Sequence, residues 1–315
     1  MDLIQKVLAS HDLLILDGAM ATELERRGAD IKDALWSAKV LIENPAAIEA
    51  VHYDYFVAGA DCAMTASYQA TIEGFIKRGC SPEQARQLIC DSVKLAKNAR
   101  ERFLCDHPLA PGRPEPLIVA AIGPYGAYLA DGSEYRGNYQ KSEAQLIDFH
   151  RERAALLLGA GADILAFETI PSLLEAKAIV HLMEEFPGAC YWISFSCNSG
   201  DTICEGTPIA ECAKFLDGCG QLGAIGINCT PPDFVPSLVS KVRAESGKPI
   251  AVYPNSGEEY DPVTKTWRGC ASAEDFAARA KEWRACGARI IGGCCRTTPE
   301  DIAAVARWAR GGAIY

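Results

Sequence analysis

Residues 160–168 read Ala-Gly-Ala-Asp-Ile-Leu-Ala-Phe-Glu. A glycine stops a helical pattern, a short apolar run follows, and an acid ends it. Glycine there permits the left-handed turn that closes a helix. An apolar run without alternation suits a parallel strand buried on both faces. The same signature recurs at Ala58-Gly59-Ala60-Asp61 and at Cys286-Gly287-Ala288-Arg289. The repeating unit is therefore helix, glycine, strand, polar terminus.

Working outward from that unit, eight apolar runs predict strands. They lie at 13–17, 61–65, 117–123, 162–168, 191–196, 222–228, 249–253 and 288–292. Helix starts stand between them. Asn44-Pro45, Ser81-Pro82 and Thr298-Pro299 each place a capping side chain before a proline at the first helical position. Ser81 with Gln84, and Ser172 with Glu175, have capping-box spacing. Eight βα units over 315 residues predict an α/β fold, a single (β/α)8 TIM-type barrel spanning 1–315 as one domain. The alternative, an open doubly wound sheet, usually carries a Gly-rich nucleotide loop after its first strand. Here the first run ends Asp17-Gly18-Ala19-Met20, with no such loop. Two insertions interrupt the rhythm. Residues 106–116 are Pro-rich and predict a surface loop. Residues 123–141 are rich in Gly and Tyr and follow strand 3, on the side where barrel loops carry function.

Composition narrows the function. The net charge is −10 and no dense Lys/Arg run appears, which disfavours nucleic acid as a partner. No run approaches the ~18 apolar residues of a membrane span. Met1-Asp2 matches neither a basic leader nor the Gly needed for myristoylation, so a cytoplasmic setting is expected. Fourteen cysteines without the framework of a small secreted domain then read mostly as small buried hydrophobes.

The exceptions stand at strand ends, where a barrel of this kind builds its active site. The first run ends at Asp17, the second near Thr65 and Ser67, the fourth at Glu168, the sixth at Cys229, the seventh at Tyr253-Pro254-Asn255. The eighth is followed by Cys294 and Cys295. Strands 6 and 8 of a closed barrel are separated by one strand. Three thiols from those two ends can share one zinc ion and leave a fourth position open, as catalytic zinc sites do. On the residues alone, a vicinal disulfide, a redox or metal-responsive dithiol and chance remain open. A phosphate cradle on Gly292-Gly293, aided by Arg296, is also open. An aldolase-type barrel would need a catalytic Lys, and no strand end offers one.

Six segments together resemble the homocysteine S-methyltransferase family. They are Asp17–Leu24, Thr65–Thr71, Phe167–Pro171, Gly226–Cys229, Tyr253–Gly257 and Gly292–Pro299, so the resemblance runs from about residue 12 to about residue 307. The segment Tyr125–Gly137 is similar to the branch that uses S-methylmethionine. Ala19 departs from the betaine-using branch, and the chain has no room for the added modules of the cobalamin-dependent enzymes. The resemblance implies a (β/α)8 barrel with Zn2+ on Cys229, Cys294 and Cys295. It implies that Asp17 and Glu168 bind the α-ammonium group of L-homocysteine. It places Thr65 and Asn255 in the pocket by their motifs. The donor it implies is S-methylmethionine, with S-adenosylmethionine as the alternative, and no adenosine fingerprint is visible.

The chemistry is consistent. A free thiol is only a few per cent thiolate at pH 7, and zinc coordination removes its proton. Attack on a sulfonium methyl releases a neutral thioether, which needs no general acid. His52, His150 and His181 fall in helical patterns and read as structural. Tyrosines of the 125–139 segment are candidates for cation–π contact with the sulfonium.

Overall fold

In the computed structural model, which describes residues 3–31, 35–257, 259–261, 266–268 and 272–312, every one of the eight expected runs contains a strand. Met1, Asp2 and Tyr315 lie outside the described residues. The strands are β1 (Leu14–Ile15), β2 (Cys62–Met64), β3 (Leu117–Ile122), β4 (Ile164–Ile170), β5 (Tyr191–Phe195), β6 (Leu222–Asn228) and β7 (Ile250–Tyr253). A short antiparallel hairpin, β8 (Glu259–Asp261) and β9 (Thr266–Arg268), precedes the last barrel strand, β10 (Ala288–Ile291). All barrel pairings are parallel, in the order β1-β10-β7-β6-β5-β4-β3-β2. A parallel bridge from Leu16 to Cys62 joins the two ends. The sheet thus closes into a (β/α)8 barrel.

Strand periodicity sorts the buried side chains into two cores. Leu16, Val119, Ala166, Trp192, Ala224 and Ile290 fill the barrel interior. Ile4 of the N-terminal helix Leu3–Ser10 joins that cluster from one end, with Leu3, Val7 and Leu8 packed against it. The alternate residues, such as Ile118, Ala120, Leu165, Phe167 and Ile193, pack outward against the helices. Counting two residues on from the interior set gives the next inward layer: Glu168 after Ala166, Ser194 after Trp192, Gly226 after Ala224. Tyr253 follows Ala251 in the same way. This layer is polar. The Trp192 indole donates to the Tyr253 hydroxyl at 3.1 Å, and Tyr253 donates to Ser194 Oγ at 2.6 Å.

Gly226 makes room for that layer. A Cβ there would stand 2.7 Å from Ser194 Cβ and closer still to its hydroxyl. Gly226→Ala is therefore expected to cost about 1–3 kcal/mol through overpacking. Urea denaturation reads the loss, and Ser194→Gly in the same chain should restore part of it. An unchanged midpoint for Gly226→Ala would contradict the packing described.

The helix boundaries follow the local signals. Asn44 and Ser81 cap their helices, and Ser81 with Gln84 forms a full capping box. Thr298 and Asp301 form another. Gly59, Gly161 and Gly287 stand at φ 103°, 87° and 122°. Three expectations are corrected, and one element is new. Ser172 accepts from the Glu175 amide, but the Glu175 carboxylate does not return the bond; it is drawn to the 123–141 segment. The 106–116 loop is not wholly on the surface. It buries Arg113, which donates to the carbonyls of Phe56 and Ala60 at 2.8 and 2.6 Å and faces Asp61. The fourth strand does not stop at Glu168 but continues to Ile170 through a register break. The β8–β9 hairpin was not anticipated.

Candidate metal and substrate site

Three thiols meet at the C-terminal mouth of the barrel. The sulfurs of Cys229, Cys294 and Cys295 lie within 4.8 Å of one another. Cys294 and Cys295 are free thiols, their sulfurs 4.0 Å apart. Three sulfurs each about 2.3 Å from one ion at tetrahedral angles stand roughly 3.8 Å apart, so the cluster is close to ligating geometry. The thiols already share charge. Hydrogen bonds from Cys229 and Cys294 hold Cys295 well below the usual thiol range, and the same contacts push Cys294 up. Cys229 is pushed up as well: its bond to Cys294 lowers it, but the bond to Cys295 and burial outweigh that. One thiol of the three ionises readily, and a bound cation would supply what the other two need to lose their protons.

The backbone is bent to deliver them. Cys229 follows β6 directly and stands at φ 46°, an uncommon conformation for a residue with a side chain. Its amide bonds to the Tyr253 carbonyl at 3.4 Å. Thr169 is also left-handed, at φ 60°. Asn228 holds it there, accepting from the Thr169 amide and donating to its hydroxyl, both at 2.8 Å. After β10, the amides of Gly292, Gly293 and Cys294 bond to the carbonyls of Val252, Asp17 and Pro254. Thr297 bonds back to the Cys294 carbonyl through both amide and hydroxyl. These amides are spent, so the glycines do not form a phosphate cradle.

Glu168 lies beside the thiols, and Asp17 lies near Glu168. Asp17 Oδ2 accepts from the Met64 amide at 2.8 Å. Burial pushes its carboxyl well above the ordinary range despite that bond, and the charge of Glu168 adds to the rise. Glu168 is pushed up to about 8, first by burial and then by the charge of Cys229, while the Tyr253 hydroxyl partly offsets this. Asp17 is buried and Glu168 half-buried, and no cation among the described residues accounts for either shift, so the facing pair favours a cationic ligand between them.

The two remaining pocket candidates differ. Asn255 follows β7, and its buried Oδ1 has no hydrogen-bond partner. Its neighbour Ser256 donates an amide to the Cys295 carbonyl at 3.0 Å. Asn255 thus offers an unused acceptor near the thiols. Thr65 does not. Its hydroxyl accepts from the Ala121 amide at 3.2 Å and contacts Ser67 Oγ at 2.6 Å. Ser67 in turn donates to the Ala121 carbonyl at 2.7 Å. The hydroxyl of Thr65 is engaged in tying β2 to β3.

Sequence reasoning missed Tyr68 and Glu134. The Tyr68 phenol is pushed up, first by burial and then by the charge of Cys229, while its bond to Thr169 opposes the rise. Glu134 is pushed up by burial, with a further rise from Cys229. No spacing rule singles out a glutamate between a serine and a tyrosine in a loop. The tyrosines of the 125–139 segment divide. Tyr125 and Tyr139 pack against each other at a tilt, and Tyr125 and Tyr128 pack on Phe149. Lys141 lies over Tyr125 and Lys77 over Tyr128. Tyr135 alone among them feels the thiols, its phenol pushed up first by the charge of Cys229.

Buried charges hold the segment in place. Glu175 Oε1 accepts from the Tyr125 amide at 2.7 Å and from His150 Nε2 at 2.9 Å. Arg153 donates to His150 Nδ1 at 3.0 Å and to the Gly123 carbonyl at 2.7 Å. His150 is therefore neutral with its proton on Nε2, consistent with a pKa lowered by burial. It is structural, as expected.

Comparison with known proteins agrees with this geometry. The profile of a protein family described as Homocysteine S-methyltransferase matches residues 14–309. Homocysteine S-methyltransferase YbgG of Bacillus subtilis (strain 168) is 58% identical over 310 residues, 98% of each chain. Homocysteine S-methyltransferase of Escherichia coli (strain K12) is 48% identical over 306 residues, 96% of this chain and 97% of that one. Among solved structures, the metallated form of the Escherichia coli homocysteine methyltransferase MmuM superposes with a TM-score of 0.87 at 44% identity. That match covers 97% of this chain and 99% of the other.

Proposed function

The chain belongs to the homocysteine S-methyltransferase family, and from that premise we propose that it transfers a methyl group from S-methylmethionine to the thiol of L-homocysteine. The metal is Zn2+, held by Cys229, Cys294 and Cys295. The observation that carries this reading is the cluster of three sulfurs within 4.8 Å at a barrel mouth that also holds the carboxylates of buried Asp17 and half-buried Glu168. The whole chain, 1–315, is read as one homocysteine-binding barrel domain. A cytoplasmic setting belongs to the same reading; no described helix is long and apolar enough to cross a membrane.

Zinc on the three thiolates would supply the Lewis acidity that deprotonates an incoming thiol near neutral pH. The protein does the rest. Asp17 and Glu168 bind the α-ammonium group of homocysteine and so aim its sulfur at the thiol cluster. Asn255 offers an acceptor to the same substrate. Tyr68 and Tyr135, both of which feel the charge of Cys229, are the aromatic side chains assigned to the sulfonium. The homocysteine sulfur forms a bond to the methyl carbon as the carbon–sulfonium bond breaks. The electron pair of that bond stays on the donor sulfur, and the proton lost from homocysteine goes to solvent. Both products are methionine. The leaving thioether is neutral, and no histidine is hydrogen-bonded to the thiol cluster.

The 123–139 segment is fixed in place. It is pinned at Tyr125 by Glu175, and Ser196 Oγ donates to the Glu134 carbonyl at 3.1 Å. S-adenosylmethionine is the poorer donor on this reading. A two-donor competition with purified, zinc-loaded protein tests the ranking, and preferential use of S-adenosylmethionine would overturn it. Asp17→Asn tests the acceptor site. Removing one charge-assisted contact should raise the KM for homocysteine by roughly tenfold or more. Zinc content should stay at wild-type level. A normal homocysteine KM would remove Asp17 from the site.

A further inference from the structure

Homocysteine and a methionine-derived sulfonium together bring three positive charges to the site: two α-ammonium groups and one sulfonium. The mouth holds a third acid besides Asp17 and Glu168, and it is half-buried. Glu134 lies on the 3-10 turn Ser133–Tyr135, and its Oε2 is buried without a hydrogen-bond partner. The turn is docked, not loose. The Ser196 hydroxyl holds the Glu134 carbonyl, and a Cβ on Gly126 would stand 2.5 Å from the Glu134 amide nitrogen. The nearby cation lowers the Glu134 pKa only weakly through its charge and has its hydrogen bonds elsewhere. Arg136 is exposed, donates to the Asp131 carbonyl and to Ser133 Oγ, and pairs with Asp131. A carboxylate oxygen that is buried, unpartnered and close to a thiolate cluster is costly unless a cation arrives.

We propose that Glu134 binds the α-ammonium group of the methyl donor and selects donors that carry an amino acid end. This rests on the functional reading above and deepens it. Asp17 and Glu168 serve the acceptor and Glu134 serves the donor. The two substrates are thereby kept apart, with the sulfonium left between Tyr68, Tyr135 and the thiols. Glu134 is a specificity residue, and the reacting atoms are not its concern.

The test uses the zinc-loaded full chain and two donors: S-methylmethionine, and the same sulfonium lacking its α-amino group. Wild-type enzyme should prefer S-methylmethionine. Glu134→Gln should raise the KM for S-methylmethionine roughly 10- to 100-fold, as loss of a charged hydrogen bond does. It should leave the homocysteine KM within about twofold and leave kcat/KM for the deaminated donor unchanged, because that donor lacks the partner group. A structural role would weaken both donors equally, and that outcome overturns the proposal. Should Glu134→Gln not fold, the wild-type comparison decides by itself: equal kcat/KM for the two donors overturns the assignment. Wild-type protein that makes no methionine from S-methylmethionine sinks the functional reading, and the assignment with it. An unchanged donor KM in Glu134→Gln sinks the assignment alone.

Discussion

Cys294→Ser is expected to remove metal and methyl transfer together. Zinc should fall from about one ion per chain to a small fraction of that, since two thiolates do not replace a three-thiolate site. Turnover should fall by roughly a thousandfold or more, because the acceptor thiol returns to its ordinary pKa and loses its anchor. The control is Cys105→Ser. Cys105 is exposed and remote from the cluster in sequence, so zinc and activity should both survive. Metal analysis after purification under reducing conditions, paired with a methionine-forming assay, reads both quantities. Zinc retained at full stoichiometry in Cys294→Ser would end the three-thiol assignment. Wild-type protein free of zinc would instead favour the dithiol redox reading. The geometry opposes that reading in one respect. Cys229 comes from a different strand and is bent to φ 46° to join the pair, which a two-cysteine switch does not need.

The barrel was legible because its signals are local and repeated. Each strand is an apolar run, and each helix announces a cap or a closing glycine. Glu168 and Cys229 were legible for the same reason, as polar residues at the ends of apolar runs. What escaped reading depends on contacts far apart in sequence. Ser172 and Glu175 have the spacing of a capping box, yet Glu175 is bound to Tyr125 and His150, 50 and 25 residues away. Arg113 sits in a Pro-rich loop that looks exposed, yet it is buried against carbonyls 57 and 53 residues earlier. Glu134 and Tyr68 acquire meaning only from what they face. The sequence alone also does not separate Tyr135 from Tyr125, Tyr128 and Tyr139. Packing does, because three of the four are occupied by one another, by Phe149 and by lysines.

Acid is expected to unfold this protein through His52, and His52→Leu should blunt the effect. His52 lies in the helix Pro45–Val57, fully buried, and neither ring nitrogen has a hydrogen-bond partner. Burial alone pushes its pKa down from 6.5 to about 3. The sign follows from proton uptake. Between pH 6.5 and 3 the unfolded chain binds a proton that the folded chain refuses, so stability is full above 6.5 and falls with pH. The loss is about 2 kcal/mol between pH 6.5 and 5, and roughly 4 kcal/mol by pH 3. Leucine fills a similar volume and removes the unpartnered ring nitrogens, so stability at pH 7 should be held or improved. The gap between variant and wild type should then widen by about 2 kcal/mol from pH 7 to pH 5 in urea denaturation. Parallel curves would show that another group governs the acid limb. The helix matters to the site as well as to the fold. Tyr55, three residues beyond His52, shares its hydroxyl between the carbonyls of Ala19 and Thr297, each at 3.3 Å. Those carbonyls belong to the turns that follow Asp17 and the cysteine pair. Loss of the helix at low pH should therefore release zinc along with the fold, and metal release measured across the same pH range should track the unfolding curve in both proteins.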